Sequence, residues 1–302
     1  MKHIYFNTIQ ANKWVKGVAM LSLTVALQAK SCSSSGGAVA DQETQKQTPL
    51  TLVQGMVNLA ARVPGKQENA LFYALGQNKQ DVLENVLERV SKNEINLRNP
   101  TASKEDFLQT VHPNGNPPLS QAIQLGKKEM AERLMHFPGI KLAQINVRTG
   151  ETPLMLAIEK GMVELARTLI QKLDNPVLMQ SDAKGRTPLH IAARCNLQEV
   201  FQDLYKKLNQ GGAIAGQLTR KDATGRTIFA SAYLPKNARL GRVFTKSDNA
   251  MFEFVLDCTK SSLSTENYTE IEREIDALAG AKKIDPERNI KLRTLLNSKR
   301  NG

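Results

Sequence analysis

Chemistry in a protein of 302 residues would have to come from few groups, because the chain holds only four histidines and three cysteines. His3 lies near the N-terminus, His112 and His136 lie in connecting segments, and His190 lies in a recurring motif. Cys32, Cys195 and Cys258 are far apart, with no Cys-x-x-Cys pair and no histidine at ligand spacing, so no zinc site is implied. Nucleophile elbows, His-Glu-x-x-His, phosphate-binding loops and dinucleotide fingerprints are all missing. Glu84, Glu88 and Glu94, like Glu270, Glu272 and Glu274, fall in helix-forming stretches, where carboxylates form solvated faces or pair with a lysine one turn away. The residues therefore imply no enzyme and no cofactor; catalysis would need an unrecognised site completed by residues 259–302.

The remaining chemistry is charge. With 41 Lys and Arg against 29 Asp and Glu, the formal charge is +12; Lys2, Lys13, Lys16 and Lys30 precede position 33 with no acid among them, and without them +8 remains. An excess of this size fits an acidic partner as well as a polyanion. Arg148, Glu151, Lys184, Arg186, Arg220, Lys221 and Arg226 fall in turns between helical segments, six cations and one acid, whereas Asp182 and Asp222 read as turn formers.

The elements that would position these residues are repeated. Gly115-NPPLSQ-Ala122, Gly150-ETPLML-Ala157, Gly185-RTPLHI-Ala192 and Gly225-RTIFAS-Ala232 begin 35, 35 and 40 residues apart, and Asn69-ALFY-Ala74 is a looser, earlier copy. Glycine supplies a positive φ in a tight turn, threonine caps free N–H groups, and proline occupies the first helical position, where its missing N–H costs nothing. Leu119, Leu154 and Leu189 then face a core, and the closing alanine admits a neighbouring helix. Four residues on, Asn78, Gly126, Gly161 and Asn196 can end the first helix in the left-handed conformation. Second helices follow, as shown by Met162, Val163, Ala166, Leu169, Ile170 and Leu173 at helical spacing.

On these motifs, and on Asp182 standing three residues before Gly185-RTPLHIAA, the chain resembles the ankyrin-repeat family. The resemblance covers roughly residues 66–258 and recurs at the family's period. It implies an all-α fold: a solenoid of about five helix-turn-helix repeats with flanking capping helices, and β-turn fingers projecting from one edge. Ile145 to Leu154 reads as one such finger. It also implies a structural, hydrogen-bonding role for His190. Departures are specific: Ser120, Met155 and Ala230 stand where His190 does, Pro117 replaces threonine, Ile228 replaces proline, and Leu234 to Asn249 is an insertion in the last copy.

At the flanks, Pro49 to Val63 has the spacing of a capping helix within residues 48–65. Within 259–302, one helix runs from Ser264 or Thr265 to Gly280 and another starts at Pro286, both packing on the last repeat. At the N-terminus, the apolar Val18 to Ala29 follows Lys13 and Lys16 and is too short for a comfortable membrane span, which points to export. Residues 1–32 resemble a bacterial lipoprotein signal, with Cys32 the residue to be acylated, and 33–47 have the composition of a flexible tether. Cleavage near Ala29, an uncleaved anchor and a chance apolar stretch are the alternatives; Lys30 departs from the lipoprotein pattern.

The expected function is an exported protein-interaction scaffold. It would be membrane-anchored in the bacterial cell envelope or, alternatively, secreted, and would present its fingers and concave face to another protein with an acidic surface. The alternative is a lipid-tethered structural protein contacting anionic cell-wall or membrane groups through its turns and through Lys291, Arg293, Lys299 and Arg300. Nucleic acid ranks below both, because export conflicts with it and aromatic residues do not interleave with the cations.

Overall fold

The computed structural model describes residues 48–63, 68–96, 103–234, 249–281, 284 and 286–301. The chain divides into two units, Met1–Lys46 and Gln47–Gly302, and every described residue belongs to the second. The signal-like segment, Cys32, the tether and most of the insertion after Leu234 lie outside the described residues.

Five helix pairs follow one another: α2 (Ala70–Gln77) with α3 (Gln80–Ser91), α5 (Pro118–Gln124) with α6 (Lys128–Met135), and α7 (Pro153–Glu159) with α8 (Val163–Lys172). Then come α10 (Pro188–Arg194) with α11 (Gln198–Gln210), and α13 (Ile228–Tyr233) with α14 (Ala250–Thr259). Short helices α1 (Pro49–Gln54), α4 (Lys104–Leu108), α9 (Asn175–Leu178) and α12 (Ala215–Leu218) sit before or between pairs. A closing hairpin comprises α15 (Thr265–Gly280) and α16 (Pro286–Asn301). The described residues contain no strand, only the isolated bridges Asn58–Asn96 and Arg62–Asn69.

Local chemistry starts and stops these helices where the sequence motif places it. Thr152 accepts the amide of Met155 at 3.2 Å, and Asn69 accepts that of Phe72 at 3.1 Å, so each satisfies one of the free donors of a first turn. At the far ends, Asn78, Gly126, Gly161 and Asn196 have φ of 54°, 74°, 70° and 57°, the left-handed turn that redirects the chain into the second helix.

Stacking follows from the side-chain pattern. Each first helix packs against the next, α2 to α5 to α7 to α10 to α13, while α8, α11 and α14 pack likewise. Leu119, Leu154 and Leu189 are buried, and Ala74, Ala122, Ala157 and Ala192 are inaccessible, because a methyl group is all that fits where first helices approach. At each fully buried leucine, water-to-core transfer contributes about 1.5–3 kcal/mol.

The hairpin extends the stack as a sixth pair without a finger. Helix α15 lies on α13 and α16 on α14; Tyr268, Ile271, Ile275, Leu278, Leu292 and Leu296 are buried, so the amphipathic faces cover the end of the last repeat as expected. The N-terminal cap differs from its sequence pattern. Only Pro49–Gln54 is helical, and Gly55 closes that helix on the carbonyl of Thr51. The following segment runs beside Ile95, whose carbonyl accepts from Leu59 at 2.8 Å, and buried Arg89 donates to the carbonyls of Val53 and Met56 at 3.1 and 2.8 Å. Apolar spacing alone could not reveal an arginine that satisfies backbone acceptors from another helix.

Candidate protein-binding edge

Between helix pairs the chain turns back on itself in short fingers. Asp182 Oδ1 accepts the amides of Lys184 and Arg186 at 2.9 and 2.8 Å, and Asp222 Oδ1 accepts those of Thr224 and Arg226 at 2.7 and 3.0 Å. Asn146 does the same for Arg148 and Thr149 at 2.7 and 3.1 Å. These side chains stand in for backbone turns, which is the physical reason Asp and Asn occupy those positions. Asp182 and Asp222 are thus turn residues.

Successive fingers are tied at their tips. Val147 donates to the carbonyl of Gly115 at 3.0 Å, Ala183 to that of Thr149 at 2.8 Å, and Ala223 to that of Lys184 at 2.8 Å. The approach is close enough to require glycine at 185. With φ of 71°, any Cβ there would lie 2.9 Å from the amide nitrogen of Ala223.

The turn charges then separate into several groups. Arg148 is exposed, and among the described residues its guanidinium donates only to the carbonyl of Pro113, at 2.5 Å; Lys184 is exposed and its side chain has no partner among the described residues. Lys221 is bound by Glu270 of α15 at 2.5 Å, and Arg220 donates to the carbonyl of Met179 at 3.1 Å and to Ser181 Oγ at 3.0 Å. Arg226 is half-buried, with its amide closing the turn on Asp222.

Arg186 corrects its expected placement among exposed cations. It is 8% exposed and paired with Asp182 at 2.5 Å, Glu159 at 2.8 Å and Glu151 at 3.2 Å. Burial alone would lower its pKa, but the hydrogen bond and charge of Asp182, with help from Glu159, raise it above the ordinary value. Glu151, the one acid in the set, is committed to this cluster, and Arg194 joins it through Glu159. The cluster crosses the joint between the α7 and α10 repeats, and no local pattern announces it, since Glu159 and Arg186 are 27 residues apart.

Each joint carries different polar chemistry. Between the α5 and α7 repeats, Asn146 donates to Asn116 at 2.6 Å, and Asn116 and Asn114 donate to Gln121 at 3.0 and 2.9 Å. Between the α10 and α13 repeats, His190 Nε2 donates to the carbonyl of Arg220 at 3.1 Å, which leaves Nδ1 to accept the Thr187 hydroxyl at 2.8 Å. Burial pushes the His190 pKa below its ordinary 6.5 despite that carbonyl, so the ring is a neutral spacer with both nitrogens engaged. At the closing joint, Glu274 accepts the amide and hydroxyl of Thr227 at 2.8 and 2.5 Å. Burial raises its pKa above the usual carboxylate value.

Helix pairs with left-handed ends, tip-bonded fingers and a histidine bridging two repeats make up one recurring unit. The family model described as ankyrin repeats, three copies, matches residues 119–213. Residues 119–213 are ankyrin repeats. The match spans the α5, α7 and α10 repeats of the stack, and the more divergent α2 and α13 pairs lie outside it. A solved structure titled as a predatory endopeptidase from Bdellovibrio bacteriovorus in complex with an immunity protein is similar at TM-score 0.45 and 20% identity, covering 59% of this chain and 80% of that one. No curated protein matches the sequence. Ankyrin repeats imply a protein-interaction scaffold.

Proposed function

We propose that this ankyrin-repeat protein is an exported scaffold, held at the bacterial envelope by acylation of Cys32, that binds another protein along its finger edge. The observation that carries the binding reading is the tip-to-tip hydrogen bonding from Gly115 to Ala223. It pre-orders one continuous edge, so little conformational entropy is lost when a partner docks. Export rests on the apolar Val18 to Ala29 behind its lysines, and acylation on the position of Cys32. None of the described helices is long and apolar enough to cross a membrane.

The alternative, an envelope-binding protein using its basic tail, is less well supported, because most of that tail is internally neutralised. Lys291 pairs with Glu287 at 2.5 Å, Arg293 with Glu272 at 2.9 Å and Lys299 with Asp257 at 2.6 Å. Two measurements test the proposal. Labelled fatty acid should enter the full chain and be lost in Cys32→Ser, while affinity capture should recover a defined protein. Unlabelled wild-type chain would reject the anchor, and recovery of insoluble envelope alone would reject the scaffold.

A further inference from the structure

The geometry points to the chemistry of the partner on that edge: a peptide segment carrying an aliphatic or aromatic side chain flanked by carboxylates, seated on Val147 between Arg148 and Lys184. The inference rests on the scaffold reading and deepens it. Val147 is 68% exposed, the most exposed large apolar residue among those described, and it sits at a finger tip whose amide is held by the carbonyl of Gly115. An isolated exposed valine is ordinary on a protein surface. The setting of this one makes it a candidate contact.

Two cations with no acid paired to them among the described residues stand on this finger and the next. Arg148 donates to a neutral carbonyl, and its stem lies across Gly115 so closely that a Cβ there would meet Arg148 Cγ at 2.9 Å. Its guanidinium is therefore held in place by the neighbouring finger. Lys184 stands on the following finger, which is tied to this one where Thr149, adjacent to Arg148, accepts the amide of Ala183, adjacent to Lys184. The nearby acids are engaged elsewhere: Glu151 with Arg186 and the Thr149 hydroxyl, Asp182 with Arg186 and its own turn. The edge thus presents an apolar contact and two uncompensated positive charges on a rigid support, which complements a short acidic and apolar segment.

The test is a random-peptide display selection against the full chain, run in parallel against R148E/K184E, V147S and K172E/K206E, the last placing the same charge change on α8 and α11. Peptides with an aliphatic or aromatic residue beside Asp or Glu should be enriched. Synthetic versions should lose about tenfold in affinity or more with R148E/K184E and about tenfold with V147S, and keep it with K172E/K206E. Enriched peptides lacking acids, equal weakening by both charge reversals, or no enrichment over R148E/K184E would overturn the inference. So would a mixed-sequence oligonucleotide that binds through the same residues. Peptides that bind but ignore all three variants would leave the scaffold standing on another face, whereas failure of peptides and of captured proteins together would remove both.

Discussion

His190 and Arg186 show how far side-chain identity alone indicates role. The structural role of His190 is legible in the sequence, because its motif identifies a spacer, and the bond to the Arg220 carbonyl supplies the mechanism. His190→Ala would leave that carbonyl without its partner and open a cavity, so urea unfolding should show a loss of about 1–3 kcal/mol. Because folding lowers the His190 pKa below 6.5, its contribution is fully present above that value and is lost as pH falls through the lower folded value; the stability gap between wild type and His190→Ala should shrink in acid. Arg186 was not legible, since a turn arginine on one finger gives no sign that carboxylates from the preceding repeat enclose it. Removing it leaves buried Asp182 without its cation and Glu159 with Arg194 in place of two arginines, and Arg186→Ala should cost about 3–5 kcal/mol in the same assay. Ser120, at the place His190 holds in its own repeat, is buried with a hydroxyl that has no partner among the described residues, so Ser120→Ala should be neutral or slightly stabilising.

Helices were more legible than their joints. The Thr-Pro start and the Gly or Asn stop are local, with reasons contained within a few residues, and the four left-handed stops occur where the spacing places them. The end caps divide along the same line. The closing hairpin follows from local signals, the Ser264 cap of α15 and the proline that starts α16, whereas the segment after Gly55 is held by Arg89 from α3, a contact that spacing does not encode. What fixes α15 against the last finger is also non-local: Glu274 reaches Thr227 across 47 residues. Folding raises the Glu274 pKa above 4.5, so its contribution is fully present below that value and is lost as pH rises through the folded value. A glutamine keeps an acceptor and adds donors that the Thr227 hydroxyl can accept. Glu274→Gln should therefore match or exceed wild-type stability at neutral pH, with its advantage vanishing in acid, as thermal unfolding at several pH values would show.

For the whole molecule, the repeat register makes one core of many small contacts and one edge of many turns. Leu189→Ala, in the middle of the stack, should destabilise by about 2–5 kcal/mol, read as a shift in the denaturant midpoint, because the first helices on either side cannot collapse into the cavity. The finger edge is the functional claim, and its outline was visible in the sequence as turn charges at regular intervals. Which charges face solvent was not visible, since that depends on Glu159, Glu270 and other partners a repeat or more away. The most direct measurement is hydrogen–deuterium exchange on the full chain with and without its captured partner. Slowed exchange should centre on residues 146–150 and 182–186, with α6, α8 and α11 unchanged. Protection confined to the groove across α6 and α8, lined by Glu132, His136 and Glu164, or to the α15–α16 hairpin, would contradict a finger-edge scaffold.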